Sequence, residues 1–278
     1  MAIDPAHLGA MAGGGDASLL AQAIGQAQHQ VLRLILLVPR PYVLFLVVPY
    51  LSRAMIPGGI RRGLVFMVAL LTLPLAADPA GLSPPMIGLL MFKEGFIGLL
   101  LGLGLGVFVW AVQSVGDLVD FHTGAANARF FDPAFGHEGG PTGAFLGWLV
   151  AVLFVSSGGL LGLLGLLVES YRVWPQADFA PDLRHLVQAF AIHQGDQLFA
   201  WIVKLGAPVL LVLMLVDMGL GLIGRFVPQL NIFVIAQPLK SLVAIFMLLI
   251  SLGLLGQTLA EFLRPDLTVL RLLRPAGP

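Results

Sequence analysis

Six stretches of this chain are apolar over lengths close to the roughly 20 residues that carry a helix across a bilayer. They run from about Val31 to Leu51, Gly63 to Ala77, Met86 to Val115, Gly143 to Val168, Leu205 to Gly224 and Leu239 to Phe262. The expected fold class is therefore all-α, with about six long apolar helices associated with a membrane. Of the 278 residues, 58% are hydrophobic and 11% charged, against about 25% charged in a typical soluble domain. That excludes an ordinary cytosolic enzyme. Fifteen Lys and Arg balance fifteen Asp and Glu, which leaves no basic field for releasing counterions from nucleic acid. The absence of cysteine excludes disulfides, thiolate metal sites and cysteine nucleophiles.

The apolar segments are poor as independent spans. The first carries Arg33 and the Pro39-Arg40-Pro41 break, and proline removes backbone donors from a helix. The second is short, the third begins with Lys93-Glu94, and the sixth places Lys240 in its first turn. Broken, charged helices persist at membrane depth only when buried in protein or lining a watery cavity, so this chain expects partners. No basic region precedes an apolar core at the N-terminus, where Gly13-Gly14-Gly15 intervenes, and no cleavable secretion signal is expected. Orientation by the positive-inside rule is ambiguous. Six spans place the loop bearing Arg53, Arg61 and Arg62 opposite the tail bearing Arg264, Arg271 and Arg274. Gly95, Gly98, Gly102 and Gly106 recur on one side of the third segment and invite close helix approach, a theme that Gly158, Gly162 and Gly165 repeat in the fourth.

Five groups of residues need a specific explanation. Lys93 and Glu94, being adjacent, point about 100° apart on a helix and are expected to find partners elsewhere, or headgroup solvation, not each other. Asp217 and Lys240 stand eleven or twelve residues either side of a turn at Pro228-Gln229. Antiparallel geometry puts them at equal depth and predicts a cross-hairpin ion pair, each partner alone leaving a stranded charge at roughly 3 to 5 kcal/mol; the alternative is that each faces a different subunit. Asp117 and Asp120 share one helical face, where like charges repel unless water or cations meet them. The run from Gly116 to Thr142 breaks helical apolarity with Phe121, Phe130-Phe131, Asp132-Pro133, Phe135, Gly136 and Gly139-Gly140-Pro141. Aromatics on a glycine-hinged loop can fill a hole and later leave it, or anchor the loop in lipid. Finally, Glu169 to Lys204 alternates charge with apolar residues as interfacial amphipathic helices do. Its His185 and His193 are read as structural.

Enzymatic signatures are thin. The chain has no Walker A loop, no H-E-x-x-H and no G-x-S-x-G turn. Asp117 and Asp217 as an intramembrane aspartyl dyad rest on nothing beyond two acids in an apolar chain. No catalysis, cofactor or metal is expected.

Three stretches resemble a known family: Phe92-Lys93-Glu94 with Ile97-Gly98 and Gly102; Gly116 to Asp120 followed by Asp132-Pro133; and Gly221-Leu222-Ile223 with Arg225 to Phe233 leading to Pro238-Leu239-Lys240. They are similar to the SctT/FliR family, the T component of type III secretion export gates and the R component of the flagellar one, over roughly residues 20 to 262. The resemblance implies a variable N-terminus over 1–18, an N-terminal helical part over 19–204, a C-terminal helical hairpin over 205–262 and a tail over 263–278. It implies bent helical hairpins packed with the R and S components into a conical gate, held toward the periplasmic side of the bacterial inner membrane in contact with lipid. It further implies the U-type switch component, inner-rod or needle proteins and unfolded secretion substrates as partners, and no nucleic acid. The stretch matching the family's pore plug is Phe121 to Pro141, and Pro228, Gln229, Leu230, Asn231 and Phe233 match the hairpin tip near the substrate entrance. Lys93, Glu94, Asp117, Asp120, Asp217 and Lys240 are expected to hold helices and subunits in register. A secondary transporter or small-solute channel, whose broken helices and midplane charges bind ions, is the alternative.

Overall fold

The computed structural model describes residues 16–51, 56–76, 78, 83–125, 140–176, 183–227, 229 and 231–263. The described residues form eight α-helices and no strand: α1 (Asp16–Leu37), α2 (Pro39–Val47), α3 (Gly58–Leu71), α4 (Pro84–Thr123), α5 (Pro141–Ser156), α6 (Gly159–Val173), α7 (Leu183–Phe226) and α8 (Ile232–Phe262), with 3-10 turns at Pro49–Leu51 and Leu73–Leu75.

Membrane-length apolarity yields helices, as expected, but the count changes. Four are long and apolar enough to cross a membrane, or five if the bent pair α5 and α6 is one span. The second apolar stretch is only the 14-residue α3. The fourth stretch bends by 73°, because Gly158 adopts φ 77°, a conformation that ends α5 and starts α6. The Pro39-Arg40-Pro41 break does not destroy a span. Pro39 opens a new helix, where a missing donor costs nothing. The part of the amphipathic stretch from Leu183 to Lys204 and the fifth apolar segment are one continuous 44-residue helix, α7, with Pro208 inside it. The last helix starts at Ile232, so Lys240 lies beyond its first turn and Pro238 sits inside.

The chain divides into two compact units: residues 1–102 with 167–181, and residues 103–166 with 182–278. The boundaries fall inside α4 and α6. In the first unit, Leu36, Leu37, Leu44, Val48, Val68, Ile97, Leu101 and Leu167 form the core, all buried. Small residues let the backbones meet there: a Cβ on Gly98 would strike the Arg40 carbonyl, and one on Gly102 would lie 2.8 Å from Val47 Cβ. Close approach at these glycines is therefore real, whereas Gly162 and Gly165 of α6 face open space.

In the second unit, Val119, Val209, Leu213 and Ala244 make a core under Val243, Met247 and Leu248. Phe108, Trp201 and Phe262 close one end, Phe108 stacked on Phe262 at 5.0 Å and edge-on to Trp201 at 5.3 Å. The most apolar window of α4 is 72% buried, against 22% for α7 and for α8. The central helix is thus sheltered by its own chain, and the terminal hairpin is not.

Candidate functional site

The end of α4 and the start of α5 flank the phenylalanine-rich stretch, and two aspartates join them. Gly140, the residue preceding α5, has no side chain to cap the helix, and Pro141 follows it. The first amides of a helix have no intrahelical acceptor, and here α4 supplies the acceptors. Gly140 N–H donates to Asp117 Oδ1 at 2.6 Å, while Thr142 N–H at 2.9 Å and Gly143 N–H at 3.4 Å donate to Asp120 Oδ2. The shared face of Asp117 and Asp120 is turned to the backbone amides at the start of α5, which the sequence did not reveal. The positive end of α5 takes the negative charge, and Asp120 is only 1% exposed. Its second oxygen, Oδ1, is buried without a hydrogen-bond partner.

Glycine is required throughout this junction. A Cβ on Gly140 would overlap the Asp120 carboxylate, one on Gly143 would lie 2.6 Å from Asp117 Oδ1, and one on Gly116 would lie 2.5 Å from the Gly143 backbone. One turn further along, α4 ends at Gly124, whose φ of 79° is a left-handed helix terminus. Gln237 of α8 packs so closely there that its Nε2 would be 2.8 Å from any added Cβ. An open crevice lined by Thr123, Gly124, Phe233, Val234, Gln237 and Ser241 runs beside it.

Of the expected plug residues, Phe121 lies in the last turn of α4 and is exposed, and Gly140 is buried against the aspartates. Phe130, Phe131, Asp132, Pro133, Phe135 and Gly139 lie outside the described residues. At the hairpin tip, Gln229, Asn231 and Phe233 are exposed, and Pro228 and Leu230 lie outside the described residues. The tip is tight: a Cβ on Gly224 would collide with Ile232.

The charged residues separate into two settings. Lys240 Nζ lies 2.7 Å from Asp217 Oδ1, across the α7–α8 hairpin. Farther from the tip, Lys204 Nζ meets Glu261 Oε2 at 2.9 Å on the same hairpin. In the first unit, Glu94 finds Arg40, a pairing that the sequence did not reveal. Arg40 Nη2 donates to Glu94 Oε1 at 3.0 Å and to the Trp174 carbonyl at 3.1 Å, and Nη1 donates to Ser170 Oγ at 3.0 Å. Arg40 Nε lies 2.8 Å from Glu94 Oε2, an ion contact outside hydrogen-bond angles. The guanidinium also stands 3.9 Å over the Tyr171 ring.

Lys93 corrects a second expectation, since its Nζ lies 3.4 Å from Glu94 Oε1. Adjacent side chains diverge at their roots, but both here are long. Lys93 swings to the carbonyls of Pro175 at 3.0 Å and Gln176 at 2.8 Å, beyond the end of α6, beside the Trp174 carbonyl that holds Arg40. Cations gather at a helix C-terminus because its free carbonyls carry negative charge.

The arrangement joins helix ends through carboxylates and backbone amides. Among the described residues no cluster of His, Asp and Glu can hold a metal ion. What it offers is a stem, in which two helix ends are fastened side by side at the flanks of an aromatic segment.

Comparison with known proteins gives this stem its context. The model of the family described as Bacterial export proteins, family 1 matches residues 31–264. Yop proteins translocation protein T of Yersinia pestis is 35% identical over 226 residues, covering 80% of this chain and 87% of that protein. Surface presentation of antigens protein SpaR of Salmonella typhimurium is 31% identical, covering 74% of this chain and 78% of that protein. Flagellar biosynthetic protein FliR of Bacillus subtilis is 30% identical, covering 76% and 82%. The resemblance drawn from the three sequence stretches is borne out, and the chain belongs to family 1 of the bacterial export proteins.

Proposed function

We propose that this chain is a structural pore and gate subunit of a type III protein export apparatus in the bacterial inner membrane, conducting unfolded substrate proteins and carrying out no catalysis. The observation that carries the reading is the stem: the phenylalanine-rich stretch 126–139 lies in sequence between the end of α4 and the start of α5, which Asp117 and Asp120 hold together. A segment bearing Phe130, Phe131 and Phe135 on such a base is suited to filling a passage and being displaced from it.

Membership of an export family supports the setting, and relatives named for translocation and flagellar biosynthesis support a secretion apparatus. The outward apolar faces of α7 and α8, with Leu211, Leu215, Met218, Leu242, Phe246 and Leu249 all exposed, support burial against other subunits and lipid. The R and S components are the partners proposed for those faces. The U-type switch component and inner-rod or needle proteins are proposed as further partners. A position toward the periplasmic side belongs to the same proposal.

Co-expression with candidate R and S components, followed by purification through a tag on this chain, tests the reading against a secondary transporter. A stable complex, with this chain unstable alone, is the expected result. A monodisperse chain that purifies alone and ignores both components refutes it.

A further inference from the structure

We infer that the first turn of α3, flanked by Arg61 and Arg62, binds the phosphate headgroup of an anionic phospholipid whose acyl chains lie along the outward face of that helix. The inference goes beyond the export reading and does not depend on whether the chain conducts substrates.

Four observations on this one element converge on it. First, α3 starts without a cap. Pro57 makes no side-chain bond to it, and the first amide to find an acceptor is that of Arg61, on the Pro57 carbonyl at 3.1 Å. The amides of Gly58, Gly59 and Ile60 lie ahead of it, where a helix has spare donors and a partial positive charge. Both glycines are exposed, and a Cβ on either would meet nothing within 4 Å, so an anion can reach the backbone. Second, Arg62 folds back over this turn, its Nε donating to the Gly58 carbonyl at 3.2 Å. Third, Arg61 is only 4% exposed, and its Nη1 is buried without a hydrogen-bond partner. A helical side chain leans over the turn before its own Cα, which aims this guanidinium at the same first turn. A buried cation is costly unless paired, and among the described residues neither arginine has a carboxylate partner. A phosphate, which the guanidinium fork matches with two parallel bonds, supplies the missing charge.

Fourth, the outward face on which Arg62 stands is apolar. Ile60, Phe66, Met67, Leu70 and Leu71 are exposed, while Val65, Val68 and Ala69 turn inward. At 1.5 Å per residue the helix is about 21 Å long, short of the roughly 30 Å hydrocarbon core, so it reaches into one leaflet only. An exposed cation at the end of an apolar face fits the membrane interface, the charge level with the phosphates and the side chains below them. Inorganic phosphate would satisfy the first turn and leave that face in water. A phospholipid satisfies both, and two cations with no acid beside them select an anionic one.

The test uses the full chain in nanodiscs, together with cysteine-free versions of the subunits that stabilise it. The chain has no cysteine of its own, so Met67→Cys gives a single site for a fluorophore on this face, and Leu70→Cys gives a second. Quenching by brominated phosphatidylglycerol is compared with quenching by brominated phosphatidylcholine. It is measured with both arginines intact, in Arg61→Gln, in Arg62→Gln, and in Arg172→Gln as a control on an exposed arginine elsewhere. With both arginines intact, half-quenching is expected at an about fivefold lower mole fraction of phosphatidylglycerol, the attraction of one basic residue for anionic lipid. Arg61→Gln and Arg62→Gln are each expected to erase most of that preference, and Arg172→Gln to keep it.

Equal quenching by the two lipids with both arginines intact overturns the headgroup site. No quenching by either gives the face to a protein neighbour and overturns the inference entirely. A preference that survives Arg61→Gln or Arg62→Gln, or that Arg172→Gln removes as well, reports overall charge and also overturns it. A preference abolished by inorganic phosphate, but not by sodium chloride of equal ionic strength, assigns the first turn to free phosphate instead of lipid. If Arg61→Gln does not assemble, the exposed Arg62→Gln decides alone.

Discussion

The Arg40–Glu94 pair and the Asp217–Lys240 pair both join charges in a chain nearly devoid of them, yet their surroundings are opposite. Arg40 is fully buried, and its guanidinium is met by Glu94, a hydroxyl, a carbonyl and an aromatic ring. The hairpin pair has the shorter contact, 2.7 Å, but Asp217 keeps 43% of its side chain exposed and Lys240 15%. Distance therefore does not rank them. Where the chain solvates a charge completely, removing one partner leaves the other in a medium that cannot replace it. Where water still reaches the pair, the same removal costs little. The first pair is a finished interior, and the second lies among the outward apolar faces of α7 and α8.

The comparison can be broken most directly in the interior. Glu94→Gln strands the Arg40 charge and is expected to cost about 3 to 5 kcal/mol, read as loss of the folded chain in a denaturant titration in detergent. The double variant Arg40→Met with Glu94→Gln should recover most of it, and failure to recover would make the node a packing feature and not an electrostatic one. Gly98→Ala comes next, because its methyl group meets the Arg40 carbonyl, and a forced separation of close-packed backbones costs about 1 to 3 kcal/mol. Gly162→Ala is its counterpart in open space, expected to be neutral or to stabilise the helix by up to about 1 kcal/mol.

On the hairpin, Lys240→Met in the isolated chain should cost about 1 kcal/mol or less. The charge-reversed pair Asp217→Lys with Lys240→Asp should be closer to the original than either reversal alone. A loss as large as that of Glu94→Gln would erase the contrast between the two pairs. Smallest of all, Lys204→Ala in the exposed pair with Glu261 should shift unfolding by about a few tenths of a kcal/mol.

The sequence makes some of this legible. Apolar length alone marks the helices, and equal spacing from the Pro228-Gln229 turn places Asp217 and Lys240 opposite each other before any coordinates exist. Other parts are hidden for physical reasons. Arg40 and Glu94 are 54 residues apart, and hydropathy registers the Pro39-Arg40-Pro41 step only as a defect. Asp117 and Asp120 look like a repulsive pair because their partners are backbone amides, which have no residue type to read. The one signal was Gly140-Pro141, an uncapped start with proline at its first position. Helix continuity from Leu183 to Phe226 is masked by a polar first half, since periodicity marks faces better than ends. The bend at Gly158 depends on a backbone conformation that a Gly-Gly pair permits but does not require.

The measurement closest to the central claim is the ion conductance of membranes holding the complete assembly, with and without residues 126–139 of this chain. A closed assembly that becomes leaky on deletion, with subunit composition unchanged, is the predicted result. An assembly equally tight with and without those residues would contradict the account, and the stem would then be a helix junction with no gate above it.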